Sequence, residues 1–510
     1  MADVVRETER KYEAADDTRL PDLGVKGVAA VTESGETLLE AVYYDTEDGR
    51  LAAAGMTLRR RTGGDDEGWH LKLPVGRHVR EEVRAPLTDT PPRALTRLVR
   101  SRVRTAALMP VMELTTRRRV HRLGDADGAV LAEVARDRVT ATRPGHGEDG
   151  TATWTEIEAE LHDGRPKLLD RIEKRLRAAG LRPARSASKL QRALQETAPT
   201  TAARADHAPG TPGAGAQEAA PDTAGHHVLA YVRTQVEALV ALDPAVRRHQ
   251  PDSIHQMRVA ARRLRSCFRS YRSVLDRRAT DPLGTELRRL AAELGHDRDR
   301  EVLLARLTDH LGRLPRGLRL GPVSGRLRTY DRARRGGSRN RVTAVLDGDR
   351  YLALLDALHA LLAAPPLKPA ADKSPQKILD RAVRRDTGRL SARIRHALAL
   401  PPGEERDRAL HEARKAAKRA RYAAEVAHSA LGGRAAKHVK RMKAVQQLLG
   451  EHQDAVVTRQ ALRDLALQAH DAGEPSFTYG VLHARESALA TEYELRLAKL
   501  WRSVTERGHY

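Results

Sequence analysis

Two periods divide the chain. Between residues 42 and 161 apolar and polar positions alternate in short runs: VYYDT (42–46), MTLRRR (56–61), WHLKL (69–73), REEVRA (80–85), ELTTRRRV (113–120), VLAEVARDRV (130–139) and WTEIEAEL (154–161). A period of two is that of a strand, and the turns TGGDDEG and GDADG between runs give the spacing of an antiparallel sheet or barrel. Helical patterns at 91–106 and 166–179 complete an α+β domain over residues 1–197. From residue 226 to 510 the period is helical, with stripes of Leu, Ala and Val, so an all-α domain of roughly eight to ten helices is expected. Turn clusters around Gly312 to Gly321 and Ala363 to Pro375 interrupt it. The segment between, residues 198–225, holds no Leu, Ile, Val or aromatic residue. It reads as a disordered Ala/Pro/Gly linker, because it cannot bury enough surface to offset its ordering entropy.

Charge sharpens the division. Residues 1–200 carry 35 Lys and Arg against 33 Asp and Glu, whereas residues 226–510 carry 55 against 32. The cationic excess therefore lies in the helical part, where it draws polyanions: nucleic acid, polyphosphate or an anionic membrane. Only two Phe, three Trp and eleven Tyr occur in 510 residues, which leaves few stacking platforms for single strands and makes nucleic acid an unlikely partner. One cysteine, Cys267, excludes an intrachain disulfide framework and a thiolate metal cluster. Without a signal-like stretch or a long apolar run, a cytoplasmic location and no membrane partner are expected.

The chemistry of the first domain begins at its N-terminus. In Glu7-Thr-Glu9-Arg-Lys11, strand alternation puts two carboxylates and an ammonium on one face. Arg59 and Arg61 share a face of their run, Lys72 lies opposite Trp69, Leu71 and Leu73, and Glu156, Glu158 and Glu160 lie opposite Ile157, Ala159 and Leu161. A barrel lumen lined by both signs suits a metal triphosphate: hard oxygen ligands for the cation, Arg and Lys for the phosphates. These residues, with Tyr43-Tyr44-Asp45-Thr46, Arg60 and Ser188-Lys189, in this order, resemble the CYTH family of triphosphate tunnel metalloenzymes over about residues 3–195. The resemblance implies an eight-stranded closed barrel, Mg²⁺ or Mn²⁺, and hydrolysis of inorganic triphosphate, thiamine triphosphate or nucleoside triphosphates, with adenylate cyclisation in some members. It implies metal ligation by Glu7, Glu9, Glu133 and two of Glu156, Glu158 and Glu160. Catalysis would fall to Glu7, Glu9 and Lys11, and triphosphate binding to Arg59, Arg61, Lys72, Arg118 and Lys189.

The helical part contains a repeat. HQMRVAARRLR at 255 recurs as HEARKAAKRAR at 411, so His255, Arg258, Arg262, Arg263 and Arg265 map onto His411, Arg414, Lys418, Arg419 and Arg421 at an offset of 156. Leu294-Gly295 with Asp299 recurs as Leu449-Gly450 with Asp454, and Arg288 maps onto Lys443, at an offset of 155. His255, Arg258, Arg262 and Arg265 form one helical stripe, and two such stripes related by pseudo-symmetry would line a cationic channel. The pattern resembles the CHAD family, the conserved-histidine α-helical domain, over about residues 226–510. That resemblance implies two pseudo-symmetric helical bundles around a basic surface binding inorganic polyphosphate, and polyphosphate granules as a location. The combined expectation is a metal-dependent triphosphatase with a polyphosphate-binding module; the alternative is a polyphosphate-binding protein that no longer cleaves.

Overall fold

The alternating runs close on themselves. In the computed structural model, which describes residues 3–76, 78–198, 222–335 and 338–506, the chain falls into two units, Met1–Thr211 and Pro212–Tyr510. The barrel strands of the first are β1 (Asp3–Ala14), β3 (Thr37–Asp45), β4 (Thr57–Thr62), β5 (Gly68–Gly76), β6 (Val79–Ala85), β7 (Met109–Gly124), β8 (Val130–Thr142) and β9 (Thr151–Leu161). They bond in the order β1-β6-β5-β4-β3-β7-β8-β9, and β9 pairs with β1 again. Every neighbour is antiparallel. Closure depends on β1 serving both edges: Asp3–Thr8 bond β6 and Thr8–Ala14 bond β9. Two short strands are accessory, β2 (Ala30–Glu33) on β7 and β10 (Arg182–Pro183) on β1.

Alternation sends charge inward and apolar residues outward, so the apolar cores lie on the outside of the barrel. Leu58, Trp69, Leu71, Leu73 and Val83 are covered by α2 (Arg93–Val103), while Val134, Ile157 and Ala159 are covered by α3 (Pro166–Ala178). One end of the lumen is itself apolar: Met112, Val139, Ala141 and Trp154 pack on Leu190 and Ala193 of α4 (Lys189–Glu196). That helix plugs the barrel and sets Lys189, at its first turn, among the charged layer. At the β4–β5 turn Gly63 has φ +80, and a Cβ there would stand 2.4 Å from the Leu38 carbonyl oxygen, so only glycine fits without rearrangement.

The second unit is helical throughout its described residues: α5 (Ala224–Arg247), α6 (Ser253–Ser270), α7 (Arg277–Glu293), α8 (His296–Gly312), α9 (Val323–Arg335), α10 (Ser338–Asp347), α11 (Asp349–Ala363), α12 (Pro375–Ala399), α13 (Glu404–Asp471) and α14 (Phe477–Glu506). The sequence repeat has a structural counterpart. Where α6 and α7 are joined by a turn, α13 runs on and bends at Gly432, whose φ of 55° and ψ of −135° are not helical. One core unites α5, α6, α7, α10 and α11 with parts of α12 and α13; a second joins α12, α13 and α14 around Trp501. A third joins α8 and α9 to the ends of α13 and α14, so the last helix of the first half packs on the second half. Residues 199–221 of the segment read as a linker lie outside the described residues, and α5 already begins at Ala224, within that segment, capped by Thr223.

Asp45, quoted above with the tunnel residues, has a local task. Its buried carboxylate accepts hydrogen bonds from the backbone N–H groups of Thr46 (2.7 Å), Leu51 (2.8 Å) and Ala52 (2.9 Å), capping α1 (Arg50–Ala53). Asp45→Ala would leave three donors unsatisfied and is expected to cost at least about 2 kcal/mol. Urea unfolding followed by tryptophan fluorescence checks this; an unchanged midpoint for the first transition would contradict it.

Candidate functional site

The inward faces meet in a cavity of about 500 Å³. Glu7, Glu9, Lys11, Arg59, Arg61, Lys72, Arg118, Glu133, Glu158, Glu160 and Lys189 all line it, so strand alternation brings eleven of the twelve expected tunnel residues together. Glu156 is the exception. It lies one step deeper, buried at the floor, where it accepts from Trp154 Nε1 (2.6 Å) and pairs with Lys189 (2.9 Å). Its carboxylate is thus absent from the cavity lining, because the apolar plug made by α4 begins at its level.

The cavity wall is layered. At its deeper side Asp137 and Glu158 hold two cations in place. Arg118 donates to both oxygens of Asp137 (2.8 and 2.6 Å) and to Glu158 (2.6 Å), while Lys189 reaches Asp137 (2.9 Å) and Glu158 (2.6 Å). Lys11 bonds Glu158 and approaches Glu9 at 3.3 Å. Burial penalises every one of these charges, but the counter-charges win. Arg118, Lys189 and Lys11 are pushed above their ordinary ranges by the adjacent carboxylates, and Asp137 and Glu158 are held below theirs. On the β4–β6 side Glu82 plays the corresponding role. It receives Arg84 (2.6 Å) and His70 (3.0 Å), with Arg59 at 3.7 Å and Lys72 at 3.8 Å. Despite burial, His70, Lys72 and Arg59 keep it well below the usual carboxylate range.

A different layer sets carboxylates side by side, although Glu9 keeps Lys11 at 3.3 Å and Arg80 at 3.7 Å, and these with Lys72 hold it below its ordinary value against burial. Glu9 and Glu160 are direct cross-strand partners, and so are Glu160 and Glu133, so three carboxylates stand in a row over β1, β9 and β8. Like charges opposed in this way repel. Burial raises Glu160, with the Glu9 charge adding to it. Burial also lifts Glu7 to about 7, against the pull of Lys72, whose Nζ lies 2.5 Å away, and with the push of Glu82 and Glu160. Glu133 is already served: the bond with His162, and then Arg122 at 2.9 Å, bring it down to about 2. The group Glu7, Glu9 and Glu160 therefore fits a hard divalent cation, which needs carboxylate oxygens and retains positions for water and phosphate. Asp137, Glu156 and Glu158 lie closer together, but Lys189 and Arg118 already occupy their oxygens.

Across the cavity are the anion donors. Buried Arg59 Nε has no hydrogen-bond partner among the described residues, while Arg59 Nη1 donates to the Tyr43 hydroxyl at 3.4 Å. Burial and the neighbouring Arg59 lower Arg61 to about 10, even with Asp66 at 2.6 Å. Crowded cations with an orphaned donor fit a phosphate chain. Glu82 and Asp137 were not singled out from the sequence, although alternation announces both. Glu82 shares a face with Arg80 and Arg84, and Asp137 shares one with Glu133.

In the helical domain the two basic stripes come together. Burial lowers Arg262, with the charges of Arg258 and Arg414 adding to it, and burial beside Arg414, Arg262 and Arg258 lowers Lys418 to about 7. Arg262 Nε and Arg414 Nε are buried without a hydrogen-bond partner among the described residues. Gly295 makes room for Arg258, since a Cβ there would lie 2.6 Å from Arg258 Nη2; at the repeated position Gly450 a Cβ would lie 3.6 Å from Arg414 Nη2, an ordinary contact. Arg265, Arg288 and Arg419 line a cavity of about 360 Å³ together with Arg269, Arg272 and Arg389, which the repeat had not indicated. Two stripe residues stand elsewhere. Arg263 and Arg421 are paired with Glu425 at 3.0 and 3.1 Å, so their charge is compensated. Lys443 is exposed and does not join Arg288. His255 is half-buried on α6, and His411 Nδ1 lies 2.5 Å from Gln453 Oε1. The side chain of Asp299 lies outside the described residues; its counterpart Asp454, raised by burial, sits near Arg414, Arg306 and Lys418.

A mixed-charge tunnel barrel ahead of a repeated basic helical domain defines a two-module class, and the comparisons agree with it. Residues 5–194 match the CYTH domain and residues 230–463 the CHAD domain. The chain is 38% identical to "Uncharacterized protein Rv2226" of Mycobacterium tuberculosis (strain ATCC 25618 / H37Rv), over 98% of this chain and 97% of the relative. The same figures hold for "Uncharacterized protein MT2285" of strain CDC 1551 / Oshkosh. The chain thus belongs to the family of proteins that join a CYTH domain to a CHAD domain. Among solved structures, PptA from Streptomyces chartreusis is similar over 55% of this chain and 99% of its own (21% identity, TM-score 0.48). The CHAD domain from the plant Ricinus communis is similar over 57% and 97% (27% identity, TM-score 0.43). No helix among the described residues is long and apolar enough to cross a membrane.

The raised Glu7 pKa has a signed consequence for the metal-free protein. Its folded carboxyl binds a proton more tightly than the unfolded one, so its contribution to stability is full below about 4.5 and is lost as pH rises through about 7. Without metal at pH 8, Glu7→Gln is expected to melt at a higher temperature than the parent, with the difference vanishing near pH 4. Thermal melts in chelator check this; a lower melting temperature for the variant at pH 8 would contradict it.

Proposed function

We propose that the N-terminal tunnel hydrolyses inorganic triphosphate or a related triphosphate with Mg²⁺ or Mn²⁺, and that the helical domain binds inorganic polyphosphate. The observation that carries the first half is the division of one cavity into adjacent carboxylates, Glu7, Glu9 and Glu160, and a facing set of arginines, Arg59, Arg61 and Arg118. A divalent ion held by those carboxylates would polarise a phosphoryl oxygen and lower the pKa of a bound water. The other steps fall to side chains of this chain. Arg118, fixed by Asp137 and Glu158 through Nε and Nη2, keeps Nη1 for the substrate. Arg59 offers its unpaired Nε, and Arg61 neutralises charge that spreads over the equatorial oxygens in transfer. Lys11, between Glu9 and Glu158, stands where an ammonium can touch phosphate or orient the incoming water. Lys189 and Glu156 hold the floor rigid, which matters because phosphoryl transfer needs positioning more than covalent chemistry. Nine cationic side chains, Lys and Arg, and eight carboxylates line the cavity. The near balance favours a metal–triphosphate complex over a bare anion.

The polyphosphate half rests on Arg262, Arg414 and Lys418, crowded cations with buried Nε donors on Arg262 and Arg414 that have no hydrogen-bond partner among the described residues. The same chemistry supports a cytoplasmic protein that associates with polyphosphate granules.

The first test is phosphate release from inorganic triphosphate by the full chain, with Mg²⁺ and with chelator. Metal-dependent turnover is expected, falling at least about 100-fold in Glu7→Ala plus Glu9→Ala, as loss of a metal's Lewis-acid contribution implies. Equal turnover by the double variant would overturn the assignment. Lys418 supplies a second test. Its pKa of about 7 makes its charge, and with it polyphosphate affinity, decline as pH rises from about 6 to 8, with proton uptake on binding below full charge. Lys418→Arg should flatten that decline. Calorimetry in two buffers of different ionisation enthalpy checks it; a pH-independent parent affinity would contradict it.

A further inference from the structure

One break in the pseudo-symmetry of the helical domain, among several, separates the two ends of the basic stripes electrostatically. Applying the offset of 156, Arg265 and Arg419 at one end exchange with Arg421 and Arg263 at the other, as a two-fold relation requires. The structure shows both meetings: Arg265 and Arg419 line one cavity, and Arg263 and Arg421 share Glu425. The residue that differs is the third member. Arg269 lines the first end, and its equivalent at the second is Glu425.

The electrostatic outcomes are opposite. At the first end Arg265, Arg269, Arg272, Arg288 and Arg419 make no ion pair with a described residue, and burial followed by Arg288, Arg269 and Arg262 lowers Arg265 to about 10. Of the acids nearby, Asp281 is paired with Arg277 (2.7 Å), and buried Asp386 accepts from Ser270 (2.5 Å) with Arg389 at 3.5 Å, its charge reaching Arg419 without an ion pair. At the second end Glu425 accepts from Arg263 Nε at 3.0 Å and from the Tyr231 hydroxyl at 3.3 Å and is ion-paired with Arg421 at 3.1 Å, while Tyr422 lies 4.6 Å beneath the Arg421 guanidinium. A phosphate arriving there must displace a carboxylate already hydrogen-bonded.

We infer that the groove is one-ended: a linear phosphate polyanion seats in the arginine cavity around Arg265, Arg269 and Arg419, and Glu425 closes the symmetry-related end. This rests on the polyphosphate reading above and adds which end of the repeat holds the chain, and so the sense in which a bound chain enters the groove.

The test is equilibrium binding of a short inorganic polyphosphate to the full chain at several salt concentrations. Arg265→Ala and Arg419→Ala should each weaken binding about ten-fold and make the salt slope shallower by roughly one contact. Their equivalents Arg421→Ala and Arg263→Ala should change affinity less than about two-fold, a difference below the scatter of distant surface charges. Glu425→Gln, which frees both arginines while keeping size and hydrogen bonding, should tighten binding or add a second equivalent; Arg269→Glu should weaken it more than Arg269→Gln. Equal losses at the two ends, with no gain from Glu425→Gln, would overturn the one-ended groove while leaving polyphosphate binding intact. Absence of binding by the parent at low salt would overturn the polyphosphate reading, and the groove with it.

Discussion

A charge removed from water has to meet a counter-charge, and this rule organises both halves of the molecule. Closing eight strands places the alternate residues of each strand in a confined lumen, and in this chain those residues are charged. The closed barrel therefore holds together only if acids and bases interdigitate. Asp137 and Glu158 with Arg118 and Lys189, and Glu82 with Arg84, Arg59 and Lys72, are how this is met. The same pairings fix the rotamers of the side chains that would contact substrate, so cohesion and preorganisation share one cause.

Where pairing is incomplete, function becomes readable. Glu160 stands between Glu9 and Glu133 and is raised by burial, Arg59 carries a buried donor with no partner among the described residues, and Lys418 is a lysine pressed among arginines. Each would be relieved by one class of ligand under the proposed function: a divalent cation in the first case, phosphate oxygens in the others. The lumen is graded as well as charged. Its apolar floor under α4 forces Trp154, Glu156 and Lys189 into a fixed stack, so the reacting layer lies above a rigid base.

Much of this was legible in the sequence because strand alternation and helical repeats are one-dimensional signals. The period of two placed Arg59, Arg61, Lys72 and Arg118 on the inner face, and the offset of 156 related Arg262 to Lys418 before any contact was known. Depth is not periodic. Glu156 has the same facing as Glu158 but lies at the level of the plug, and nothing in WTEIEAEL records where α4 will stop. Pairing is equally invisible to a stripe: Arg263 and Arg421 look like their neighbours until Glu425, several residues away and on a facing helix for one of them, takes up their charge. Gly295 and Gly450 are legible as repeated, but that Gly295 leaves space for Arg258 is visible only in the fold.

The central claim is that Glu7, Glu9 and Glu160, and not the Asp137, Glu156 and Glu158 cluster beneath them, would hold the metal. Anomalous scattering from crystals of the full chain grown with Mn²⁺ and a triphosphate locates it directly. The account predicts an anomalous peak bounded by Glu7, Glu9 and Glu160, with the phosphates turned toward Arg59, Arg61 and Arg118. A peak among Asp137, Glu156 and Glu158, with Lys189 displaced, would contradict it.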